Sequence, residues 1–98
     1  MSEIFQIKDI VELGLGSIGK IKILRALAEE KKLLTVYGLH KKTHLKREDI
    51  KRNLVELVKI EWVIEQKINT SLYSINRENT YVQHLVLFFY KIGYIENI

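Results

Sequence analysis

The sequence predicts a mainly helical fold carrying one small β-hairpin. Three observations lead there. Apolar residues recur at helical spacing in successive runs up to about residue 59. Residues 62–75 then switch to a pattern rich in β-formers and broken by Asn69-Thr70. A last helical run follows and is apolar nearly all round.

Each element has a local reason. Ile4, Phe5, Ile7, Ile10, Val11 and Leu13 form a short amphipathic helix pattern within residues 1–15. Gly14, Gly16 and Gly19 follow as a hinge between helices; no strand precedes them, so they are not a dinucleotide fingerprint. Ser17 can cap a helix over 18–31, with apolar positions 18, 21, 24, 27 and 28 and Ile23 widening the stripe. Leu33-Leu34 is a minimal strand, and Thr35 caps a short helix ending near Thr43. Thr43-His44-Leu45 reads as a tight turn with one buried Leu. A third helix, 46–59, should bury Ile50, Leu54, Leu57 and Val58 and expose Arg47, Lys51, Arg52 and Glu56. Strands 62–68 and 71–75 form the hairpin, with Trp62 as its core anchor. Asn79 or Thr80 caps a helix over 81–92.

Composition narrows the function. Ninety-eight residues suit one domain, read as an N-terminal helix (1–15), a core (17–76) and a C-terminal helix (79–92). The 47% apolar content excludes a disordered chain, and the lack of Cys excludes disulfides and thiolate metal sites. No run reaches the roughly 18–20 apolar residues that span a bilayer, and the start lacks the basic region of a secretory leader. A cytoplasmic protein with no membrane contact is expected. There is no Ser–His–Asp set, paired-acid cleft or phosphate loop, so no enzymatic role and no cofactor is expected.

The charge is unevenly placed. The formal net charge is +4, and residues 38–53 hold six basic side chains against two acidic ones. The rest of the chain carries ten of each sign, which cancel. A concentrated basic stretch on a neutral body suggests an anionic partner, with nucleic acid first among them. His40 and His44 are four apart, as metal-binding pairs are, but the turn breaks their shared face and no third ligand is obvious. No metal site is expected.

Two short helices joined by a tight turn, the second basic outside, describe a helix-turn-helix; the hairpin after it describes a wing. The whole is a winged helix-turn-helix with extra N- and C-terminal helices. At Gly16-Ser17, Lys20–Leu24 with Leu27, Leu45, Ile50–Leu54 with Leu57, Trp62-Val63 and Leu72–Asn76, the chain resembles archaeal winged helix-turn-helix regulators related to the ArsR and MarR groups. The resemblance spans roughly residues 16–92. It implies a homodimer that binds operator DNA and pairs through terminal helices. Members often carry Gly between recognition helix and wing. Glu61 stands there in this chain, so either the helix ends differently or Glu61 is strained.

The expected DNA-contacting residues are Lys41, Lys42, Lys46, Arg47, Lys51, Arg52, Asn53 and Lys67, with double-stranded DNA the partner. The expected dimer face is Ile4, Phe5, Tyr81, Leu85, Phe88, Phe89 and Ile92. Glu48 can pair with Arg52, and Asp49 is read as structural or as a neighbour of Arg52. Two alternatives stand beside this: a winged-helix module that binds protein, and a nonspecific chromosome-coating protein.

Overall fold

A computed structural model describes residues 6–98. In chain order it contains α1 (Ile7–Leu15), α2 (Ile18–Glu29), α3 (Val36–Thr43), α4 (Arg47–Lys59), β1 (Val63–Lys67), β2 (Ser71–Ile75) and α5 (Thr80–Lys91). Three of the starts are fixed by side-chain caps. Ser17 Oγ accepts from the Lys20 N–H at 3.2 Å, Thr35 Oγ1 from Gly38 N–H at 3.0 Å and Asn79 Oδ1 from Val82 N–H at 3.2 Å. Each satisfies a donor that the first helical turn leaves without a partner. The mainly helical class with an antiparallel hairpin is as expected from the sequence.

The core lies where α2, α4 and the hairpin meet. Ile23, Leu24, Leu27, Leu39, Ile50, Leu54 and Leu57 are almost wholly removed from solvent. Each such side chain contributes about 1.5–3 kcal/mol of transfer free energy. On α2 the expected stripe holds at Ile23, Leu24, Leu27 and Ala28 and fails at its first position. Ile18 is 72% exposed, whereas Ile23 is fully buried and Lys20 is buried beside it. α4 packs along this face and brings Glu56 onto Lys20, with which it pairs. Glu56, expected on the outer face, is therefore half-buried between the helices.

The hairpin pairs Val63 with Ile75 and Lys67 with Ser71. Its loop is three residues, 68–70, because Ile68 donates to the Thr70 carbonyl at 3.2 Å instead of extending β1. Leu34 and Tyr73 exchange backbone bonds of 2.9 and 2.8 Å, so the minimal strand at 33–34 is a single bridge onto β2.

Gly14 is not part of the hinge. It lies inside α1, buried under Trp62, and an added Cβ would overlap the indole ring. Gly14→Ala should thus cost about 1–3 kcal/mol through overpacking. At Gly38 an added Cβ would meet its neighbours at an ordinary 3.5 Å. Gly38→Ala should therefore stabilise by about 0.5–1 kcal/mol, because alanine gives up less backbone freedom in a helix. Chemical denaturation of the two variants checks the opposite signs.

The junction between α4 and β1 resolves the Glu61 question. Glu61 takes a left-handed conformation, φ 65°. Its carbonyl accepts from Asn76 Nδ2 at 2.8 Å and Asn79 Nδ2 at 3.2 Å, which hold the chain there. Left-handed backbone costs an L-residue about 1–2 kcal/mol, and glycine returns part of that as unfolded-state entropy. Glu61→Gly should raise the unfolding free energy by about 0.5–1 kcal/mol in the same assay.

Beyond α5 the chain turns back at Gly93, φ 81°. The turn seats Ile95 in the core, sets the Tyr94 ring edge-on to Phe89 at 4.9 Å, and lets Arg25 Nε donate to the Tyr94 carbonyl at 2.9 Å. This tail had no helical or strand pattern to announce it.

Candidate nucleic-acid interface

α3 and α4 are joined by residues 44–46, a connection held by four bonds. Thr43 Oγ1 donates to the Leu39 carbonyl at 2.7 Å and accepts from Leu45 N–H at 3.2 Å. His40 Nδ1 donates to the Leu45 carbonyl at 2.7 Å, and His44 N–H to the His40 carbonyl at 2.9 Å. His44 is left-handed, φ 63°, a conformation in which His is enriched among non-glycine residues. Nδ1 of His40 is thereby engaged in the turn, and no group of three metal-ligating side chains forms among the described residues.

The outward face of α4 carries Arg47, Glu48, Lys51, Arg52, Val55 and Lys59, all exposed. Val55, missed in the sequence, sits among these cations at 68% exposure. Asn53 does not belong to this face. It is 8% exposed and its amide lies against Gly19 of α2, where an added Cβ would be 2.7 Å from Nδ2. The reason is phase: Asn53 lies three residues after Ile50 and four before Leu57, inside the buried stripe.

The basic residues differ in their partners. Arg52 bonds Asp49 at 2.8 Å, one turn back, and not Glu48. Lys42 leans towards the end of α2 and bonds Glu30 at 3.1 Å. That hydrogen bond, with the Lys42 charge, holds the Glu30 carboxyl below its ordinary value. Lys46 is the N-cap of α4; its ammonium has no acceptor with which to cap the helix, and the residue is exposed at the helix start. Lys41 and Arg47 both approach the ring of Tyr37 on the first turn of α3.

On the hairpin, alternation puts Glu65, Lys67, Ser71 and Tyr73 on one side. That side faces α4 across a cleft of ≈ 270 Å³ lined by Lys51, Leu54, Val55, Val58, Glu65 and Tyr73. Lys67 is exposed at the loop end of this side. Glu65 accepts from Ser71 Oγ at 2.6 Å and from Tyr73 Oη at 3.3 Å. Burial, seconded by the Glu65 charge, pushes the Tyr73 hydroxyl up from its ordinary value near 10. A raised acid pKa means the folded state keeps a proton that the unfolded state releases. Stability from this group is thus complete below pH 10 and declines as pH rises through the folded value. Alkaline titration followed by tyrosinate absorbance should show Tyr73 ionising late, and Tyr73→Phe should flatten the decline.

A second surface lies on the terminal helices. Val82, Val86 and Phe89 of α5 are buried, while Leu87, Phe88, Tyr90 and Ile92 stay open; Phe88 is 55% and Ile92 60% exposed. On α1, Ile7, Val11 and Leu15 are exposed. Phe89 is therefore a core residue, because the returning Tyr94 covers it. Tyr81 is half-buried and stacks on Trp62 at 6.1 Å, and Leu85 is half-buried against the core. Ile4 and Phe5 lie outside the described residues.

No family model matches the chain, and no curated protein matches it. Solved structures do. Reduced HlyU from Vibrio cholerae N16961 aligns at TM-score 0.70 with 18% identity over 85% of this chain and 84% of that one. The transcriptional repressor BigR from Xylella fastidiosa aligns at TM-score 0.71 with 16% identity over 88% of this chain and 84% of that one. The fold is a winged helix-turn-helix. At these identities the likeness is one of fold, and function rests on the surface. Among the described residues no helix is long and apolar enough to cross a membrane.

Proposed function

We propose that this protein is a sequence-specific transcriptional regulator that binds double-stranded DNA as a homodimer, with the chain acting as one DNA-binding domain in the cytoplasm. The observation that carries the proposal is the coincidence of charge and fold. The whole formal excess of +4 lies in residues 38–53, which form most of α3, the turn and the start of α4. The exposed cations there occupy the two helices that a helix-turn-helix turns towards DNA.

The mechanism follows from dimensions. A major groove about 12 Å wide admits α4, whose first turns present Arg47, Lys51 and Arg52 to base edges and phosphates. Val55 offers the apolar contact that suits a thymine methyl. Lys41, Lys42, Lys46 and Lys67 supply phosphate contacts that fix orientation. In the proposed dimer the open apolar residues of α1 and α5, with Ile92 just beyond α5, meet between two copies. Pairing there would set two α4 helices about one duplex turn apart, roughly 34 Å.

Selection of bound sequences from a random duplex pool tests the proposal. The expected product is a pseudo-palindrome with half-sites about 10 base pairs apart. Recovery of all sequences equally would replace specific regulation with chromosome coating. A protein that retains no DNA would overturn the DNA reading and leave a protein-binding module. Sedimentation at high micromolar concentration should give the dimer mass; a monomer would remove the assembly from the proposal.

A further inference from the structure

We infer that Tyr37 is a positioning residue of the DNA face, holding the Arg47 side chain in the direction it needs and joining α3 to α4 as one cationic patch. The inference rests on the DNA-binding proposal and adds to it a residue that carries no charge. The Arg47 guanidinium carbon stands 5.1 Å from the centre of the Tyr37 ring, and the Lys41 ammonium 5.6 Å from it. Both lie within the roughly 6 Å over which a cation is drawn to an aromatic ring.

Packing does not account for this tyrosine. It is 53% exposed, on the first turn of α3, and is not among the residues packed against the core. What its ring does touch is two cations from two helices, Lys41 one turn along α3 and Arg47 at the first position of α4. The negative face of the ring attracts each of these charges. A guanidinium also stacks well on an aromatic plane while its edge donors remain free. Arg47 so held loses less conformational freedom when it meets a phosphate or a base, which strengthens binding without a new contact.

The test compares Tyr37→Leu, Tyr37→Phe and Arg47→Ala, and the Tyr37→Leu/Arg47→Ala pair, by anisotropy on one selected duplex. Tyr37→Leu should weaken binding about fivefold, the scale of an exposed cation–aromatic contact in each protomer. Tyr37→Phe keeps the ring and should bind within about twofold of the parent. In the Arg47→Ala background Tyr37→Leu should do much less, since what it positions is gone. In the free protein the Arg47 Hδ protons should show an upfield ring-current shift that Tyr37→Leu abolishes and Tyr37→Phe keeps. Circular dichroism should show all three single variants folded. If the parent binds and Tyr37→Leu binds equally well, the inference is wrong and the DNA reading stands. If Tyr37→Phe loses as much as Tyr37→Leu, the ring is not what acts. If the parent binds no DNA, the underlying proposal fails first, and the inference with it.

Discussion

Replacing Arg47 and Arg52 together with alanine should weaken binding to a selected duplex by roughly 30-fold or more, at about 1–3 kcal/mol for each base-contacting arginine. The fold should survive. Both side chains are exposed on α4, and Arg52 gives up a surface ion pair with Asp49 that is worth at most about 1 kcal/mol. The loss should also change with salt. Each phosphate contact removed lowers the slope of log affinity against log salt by about one. Anisotropy over a salt series thus separates the loss of contacts from a loss of folded protein, which would scale all points alike.

The second large effect is expected at Trp62. Trp62→Ala should cost about 3–5 kcal/mol, the usual range for deleting a buried large aromatic. In a chain of this size that is a large share of the roughly 5–15 kcal/mol available, and the midpoint should fall by about 15 °C or more. Trp62 is 2% exposed and follows directly on the strained Glu61. Its ring lies against Gly14 of α1 and stacks on Tyr81 of α5. The same substitution therefore loosens both terminal helices from the end of α4, and any dimer built on them should weaken in parallel. Trp62→Phe should be far milder. The Nε1 of Trp62 is buried without a hydrogen-bond partner among the described residues, so phenylalanine forfeits no bond. Thermal unfolding followed by circular dichroism checks both substitutions.

What could be seen in the sequence was local. Ser17, Thr35 and Asn79 cap through bonds to residues three ahead, and such bonds leave a signature at short range. The stripe of Ile50, Leu54 and Leu57 and the β-rich run around Asn69-Thr70 are of the same kind. What stayed hidden was set by contacts across the fold. Lys20 reads as a solvated base until Glu56 of α4 arrives beside it. Ile18 shares the apolar period of α2, and only packing leaves it in solvent while Ile23 is buried. Phe89 looked like surplus apolar surface because the tail that covers it, Tyr94 and Ile95, has no period of its own. For the candidate interface the cations could be read from charge alone. Asn53 was recoverable from its phase against Ile50 and Leu57, whereas Tyr37 was not, since one of its two partners lies on another helix.

The most direct test is fluorescence anisotropy of the intact protein with a labelled duplex carrying the selected sequence, titrated from about 50 to 200 mM salt beside a scrambled duplex. The account predicts saturable binding that favours the selected duplex at every salt concentration and weakens steeply as salt rises. No binding to either duplex at the lowest salt would contradict it.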